Sequence, residues 1–128
     1  MSEQLTEQVF TVTRADLVAY AAASGDHNPI HSDEQVALAV GLPGVIAHGM
    51  YTMALAGRAV ATWFPGAEVV EFGTKFTSPV VVPAGESGTE VVVAGTVKKV
   101  EDGLTHLALT VTCQDTKVLG VPKAVVRA

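Results

Sequence analysis

Thiols are almost missing from this sequence: Cys113 is its only cysteine. No intrachain disulfide can form, and a zinc site built on several thiolates is excluded. Positive charge is scarce as well. Eight Lys and Arg face thirteen Asp and Glu, for a formal net charge of −5. Lys98-Lys99 is the only adjacent basic pair. That argues against nucleic acid or an anionic membrane surface as the main partner. Long apolar runs are missing too. Val36–Ala47 is broken by Gly41-Leu42-Pro43-Gly44, and Met50–Phe64 contains Arg58. Neither reaches the roughly 18 to 20 residues that cross a bilayer. The first residues, MSEQLTEQ, are polar and acidic, unlike the basic start and apolar middle of a signal peptide. The expectation is a soluble, cytoplasmic protein.

What is present is apolar and small. Hydrophobic residues make up 48% of the 128 positions and charged residues 16%, so a packed core is expected rather than disorder. One domain over residues 1–128 accommodates this length.

The order of elements follows from local signals. Val9–Val12 reads as a short strand. Thr13-Arg14-Ala15-Asp16 has the form of a capping box, followed by apolar residues at helical spacing and by Gly25 as a stop. Asp26–His31 holds Asp, Asn and Pro, and reads as a rigid, non-helical loop. Ser32-Asp33-Glu34-Gln35 reads as a second capping box, with Ser32 as N-cap of a short helix to about Val40. A longer helix is expected from His48 or Gly49 to Phe64. It is rich in small residues, with Arg58 its one charge, so it should be surrounded by other structure. Strand signals dominate afterwards: Glu68–Val80, Thr89–Val100, Leu104–Gln114 and Lys117–Val126. Asp102-Gly103 marks a hairpin, and Pro122 favours an edge or a bulge. The expected class is α+β, a curved antiparallel sheet folded over a buried long helix.

Two places carry chemistry. Asp26 and His31 flank a turn that can bring carboxylate and imidazole together. Histidine titrates near neutral pH and a carboxylate can orient it or bind the reacting water, so the pair suits proton transfer. The same residues would also serve simply to hold the turn. The second place is Gly49, at the start of the long helix. Its N–H would point outward at the positive end of the helix dipole and could stabilise a developing oxyanion. Gly49 could equally just allow a tight lead into a buried helix.

Other candidates weigh less. His27, His31 and Asp26 are too tightly spaced for an obvious metal triad, and no H-E-x-x-H pattern occurs. His48 reads as a packed, hydrogen-bonded residue, His106 as a surface or strand-face residue, and Cys113 as a small core hydrophobe. Ser24 and Ser32 suit helix boundaries, and no G-x-S-x-G is present.

Three motifs then occur in order. Tyr20-Ala-Ala-Ala-Ser-Gly-Asp-His-Asn-Pro-Ile-His31 strongly resembles the signature of the MaoC-like, (R)-specific enoyl-CoA hydratases. Ala47-His48-Gly49-Met50 resembles their next motif, and Phe76-Thr-Ser-Pro-Val80 their later Phe-x-x-Pro-Val. Within the family the chain is most similar to the catalytic subunit of actinobacterial, mycobacterial-type 3-hydroxyacyl-ACP dehydratases. The resemblance implies a hot-dog fold, with Asp26 and His31 as the catalytic dyad and Gly49 as the carbonyl donor. It implies that Asn28 braces the loop and contacts the bound substrate, and that Gly57 and Val60 line the acyl pocket. It also implies a CoA or acyl-carrier-protein thioester as substrate, no cofactor or metal, and a homodimer or a heterodimer with a second hot-dog chain. A non-catalytic hot-dog partner subunit and a thioesterase of the same fold are the alternative readings.

Overall fold

Residues 3–127 are described by a computed structural model. Strand β1, Glu3–Val12, opens the chain and leads through Thr13 into helix α1, Arg14–Ser24. The Thr13 cap is a complete capping box: its side chain accepts from Asp16 N–H, and the Asp16 carboxylate accepts from Thr13 N–H. Gly25 ends the helix at φ 79°, a left-handed position that glycine adopts without steric cost.

The next segment departs from expectation in two ways. Pro29–His31 forms a single 3₁₀ turn inside the loop expected to be non-helical. Pro29 sits at its first position, where a missing N–H costs nothing. Helix α2, Glu34–Ala39, is capped by Asp33 rather than Ser32. Ser32 is the C-cap of the 3₁₀ turn, whereas Asp33 is extended and accepts from the Gln35 and Val36 N–H groups.

Helix α3, Gly49–Trp63, is followed by β2 (Glu68–Phe76), β3 (Thr89–Glu101), β4 (Leu104–Cys113), β5 (Thr116–Lys117) and β6 (Leu119–Arg127). The antiparallel sheet runs β1-β3-β4-β6-β2, with β5 paired to β4. β1 is longer than its apolar end suggested. The long partner β3 holds the polar stretch from Glu3 through backbone pairing, with an irregularity between Leu5 and Gln8. The β3–β4 hairpin turns on Asp102 and Gly103, both at positive φ, as a two-residue hairpin turn requires. β6 pairs with β4 only from Lys123 onward, so Pro122 lies where β2 is the strand's one partner. It marks a bulge: the β2–β6 register slips between Gly73 and Lys75, and Val121 has φ 45°.

β2 stops at Phe76, short of the expected Val80. The chain after Pro79 leaves the sheet and pairs instead with the segment before α3. Ala47 N–H donates to Val80 O, and Val82 N–H donates to Val45 O. This pairing ties the lead-in of α3 to the end of the Phe76–Val80 motif.

The core lies between the sheet and one face of α3. Thr52, Leu55, Ala56, Ala59 and Val60 supply that face. Leu107, Leu109, Val111 and Cys113 point inward from β4, as their alternation predicts. The expectation that α3 is surrounded by structure holds on that face alone. Its other side carries Met50, 57% exposed, and an open apolar hollow of about 300 Å³ lined by Tyr20, Met53, Ala54, Gly57 and Phe72. No helix among the described residues is long and apolar enough to cross a membrane.

Candidate active site

Three short segments converge at the N-terminus of α3. The first is the Asp26–His31 loop. Ser24 Oγ accepts from Asp26 N–H, Asp26 Oδ1 from Asn28 N–H, and Asn28 Oδ1 from Ile30 N–H. Each side chain thus closes a small turn two residues on, which makes the loop stiff. Asn28 acts as the cap of the 3₁₀ turn that carries His31.

The second segment is Ile46–His48. Ile46 N–H donates to Ile30 O, and the Ile46 carbonyl receives His31 Nδ1 at 2.8 Å. A carbonyl can only accept, so Nδ1 carries a proton, and in the neutral ring Nε2 keeps a free lone pair. Nε2 lies 4.0 Å from Asp26 Oδ2. His31 is 9% exposed, while the Asp26 side chain is half-exposed. Four ångströms is too long for a direct hydrogen bond. It is the span that one water covers when it donates one hydrogen to each acceptor.

The third segment is the start of α3. Its first N–H groups, on Gly49 and Met50, have no acceptor within the helix. His48, the N-cap residue, makes no side-chain cap bond to them. Gly49 and His31 line one cavity of about 320 Å³, together with Ala47, Thr52, Phe76 and Pro79. A Cβ at Gly49 would lie 3.1–3.2 Å from the Phe76 ring. Glycine therefore lets Phe76 close over the helix end.

The structure brings Asp26 within 4.0 Å of His31 and puts His31 on one cavity with Gly49, while Asn28 caps the turn that carries His31. Gly57 lies elsewhere, on the apolar hollow of α3. Val60 is 1% exposed and packs into the core beneath the sheet, lining neither cavity. A further hollow of about 330 Å³ lies on the α1 side of His31, with His27 and Asn28 at its wall. Sequence reasoning missed the Ile46 carbonyl, because a backbone acceptor has no residue signature. Thr52, one turn inside α3 and buried, was equally silent.

Asp26, His31 and His48 offer ligand atoms within 4.8 Å of one another. His31 Nδ1 donates to Ile46 O and His48 Nε2 to Asp26 O, and bonds of this kind to backbone carbonyls also orient histidine ligands. The His31 and His48 rings are stacked at 3.8 Å and inclined by 23°, so their lone pairs lie in nearly parallel planes. That geometry suits packing better than a shared ion. Beside the cluster, Tyr51 packs edge-on to Tyr20. Burial, reinforced by Asp16 and opposed by Arg58, raises its phenol above the usual 10, so it stays neutral near pH 7.

A curved antiparallel sheet packed on a 15-residue helix, with a site at the helix N-terminus, defines a hot-dog domain. The sequence matches the MaoC like domain over residues 2–114, and the chain belongs to that family. It is 37% identical over 111 residues to 3-hydroxyacyl-thioester dehydratase X of Mycobacterium tuberculosis, a match covering 80% of this chain and 38% of that protein. A mitochondrial 3-hydroxyacyl-(acyl-carrier-protein) dehydratase of Arabidopsis thaliana is 37% identical over 67 residues, 52% of this chain and 40% of that one. The chain thus spans about two fifths of the length of these curated relatives. Among solved structures, a MaoC-like dehydratase superposes with a TM-score of 0.92 at 35% identity, over 98% of this chain and 39% of that one. The R-hydratase PhaJ1 from Pseudomonas aeruginosa superposes with a TM-score of 0.85 at 30% identity, over 99% of this chain and 80% of that one.

Proposed function

We propose that this protein catalyses the reversible syn addition of water to a trans-2-enoyl thioester, forming an (R)-3-hydroxyacyl thioester. The observation that carries the reading is the 4.0 Å gap between His31 Nε2 and Asp26 Oδ2, with His31 on the wall of the cavity that Gly49 also lines. Both flanking atoms are acceptors, so a water between them presents its oxygen to the substrate. The thioester carbonyl accepts from Gly49 N–H and gains stabilisation as it becomes enolate-like. The water oxygen bonds to Cβ and gives up one proton to the pair, and the pair returns one proton to Cα. In dehydration the Cα proton leaves and the departing hydroxyl is protonated. No cofactor takes part; the thioester supplies the activation.

The relatives named above, a 3-hydroxyacyl-thioester dehydratase and an R-hydratase, are consistent with this substrate class. We assign the chemistry to one MaoC-like domain over residues 1–128, in the cytoplasm, where the free thiol of Cys113 would stay reduced. The exposed hollow on α3 and the apolar edge strand β2, with Val69, Val70 and Phe76 open, favour pairing with a second hot-dog chain, identical or not.

The test is incubation of the purified protein with crotonyl-CoA. Loss of the conjugated enoyl absorbance with formation of (R)-3-hydroxybutyryl-CoA supports the reading. Release of free CoA thiol without hydration would select a thioesterase instead. Inactivity alone, reversed by a second hot-dog chain that carries its own dyad, would select a non-catalytic subunit. Light scattering on the same sample reads the oligomer.

A further inference from the structure

We infer that His48 is a positioning residue that locks both halves of the site together: it holds the Asp26 loop through its backbone carbonyl and supports the His31 ring from below. The inference rests on the hydration reading and deepens it. His48 is 1% exposed. Its Nε2 donates to Asp26 O at 3.1 Å, which places the proton on Nε2. Its ring lies against the His31 imidazole, with centroids 3.8 Å apart and planes inclined by 23°. Tyr20 packs edge-on to the same ring, with centroids 4.8 Å apart. His48 is also the N-cap of α3, immediately before Gly49.

These contacts divide the work. The bond to Asp26 O fixes the loop backbone from which the carboxylate projects. The stack opposes tilting of His31, whose other restraint is Nδ1–H to Ile46 O. Together they keep the 4.0 Å gap between Nε2 and Oδ2. His48 Nδ1 is buried without a partner among the described residues. A residue selected only to fill space would not need to bury a ring nitrogen in that way, since leaving a buried polar atom unpaired carries a cost. Phenylalanine would fill and stack with no such loss, but it could not hold Asp26 O.

Three variants test this, each measured for kcat and KM on crotonyl-CoA and for folded fraction by circular dichroism. His48→Phe keeps the stack and deletes the donor. The expected result is a kcat lower by about tenfold or more, because small displacements of reacting groups are costly, with KM within about threefold. His48→Gln restores an N–H at similar reach and is expected to recover most of the rate. Placed on Asp26→Asn, His48→Phe is expected to cost little further, since it acts through the carboxylate that is already disabled.

Full turnover in folded His48→Phe overturns the inference. So does His48→Gln as slow as His48→Phe, or losses that simply multiply in the double variant. Should His48→Phe not fold, His48→Gln decides alone: near-normal kcat supports the role, and a tenfold loss contradicts it. A wild-type protein that hydrates no enoyl thioester would defeat the hydration reading itself. A wild type that hydrates, slowed by Asp26→Asn but not by His48→Phe, would defeat only this inference.

Discussion

His31 Nε2 faces Asp26 Oδ2 across 4.0 Å, with the far side of the imidazole anchored to the Ile46 carbonyl. Two acceptors at this separation can each take one hydrogen of a single bridging water. The proposed chemistry therefore belongs to the pair.

A cooperative pair loses most of its function with the first deletion. The double variant Asp26→Asn with His31→Ala is expected to hydrate crotonyl-CoA within about threefold of the slower single variant. Steady-state rates of all four proteins check this. Losses that multiply would mean two independent roles.

Gly49 is expected to tolerate no side chain without loss of rate. A methyl at this position would press on the Phe76 ring at 3.1–3.2 Å, and Phe76, 57% exposed, can swing aside. Gly49→Ala should therefore fold but lower kcat/KM by roughly tenfold, about 1.4 kcal/mol. Adding Phe76→Leu should return part of that loss. Parallel kinetics on the single and double variants read the effect.

Gly57 and Val60 were expected to share one acyl pocket, and the structure places them apart. Val60→Ala removes buried core volume and should destabilise the fold by about 2 kcal/mol with the substrate chain-length profile unchanged. Gly57→Leu fills the open hollow and should shorten the acyl chains accepted while leaving stability nearly intact. Urea unfolding and a chain-length series of enoyl-CoA substrates separate the two.

The cap of α2 offers a test of the backbone. Asp33→Ala should cost about 1 kcal/mol, because it orphans the Gln35 and Val36 N–H groups. Ser32→Ala should fall within about 0.5 kcal/mol. Denaturant midpoints of both variants against the parent measure the difference.

The legible parts of this molecule were those encoded by short-range chemistry. Thr13 and Asp16 capped α1 as their spacing implied, Gly25 ended it, and Asp102-Gly103 turned the hairpin. Asp26, His31 and Gly49 could be singled out because loop acid–base pairs and helix starts leave a residue pattern. Other features depended on partners far away in sequence. The polar residues of β1 became a strand because β3 was there to pair with them. Pro122 is accommodated by a bulge against β2, just before the pairing of β6 with β4 begins. The acceptor for His31 is a main-chain carbonyl, which no side-chain pattern announces. His48 looked like a packing residue, and its partners are the Asp26 carbonyl and the His31 ring.

The most direct measurement is the hydration rate of crotonyl-CoA by the parent protein, Asp26→Asn and His31→Ala, with circular dichroism on each. The account predicts turnover by the parent to the (R)-3-hydroxyacyl product and a loss of a hundredfold or more in each folded variant, the scale of general acid–base catalysis. Full activity in either folded variant would contradict it.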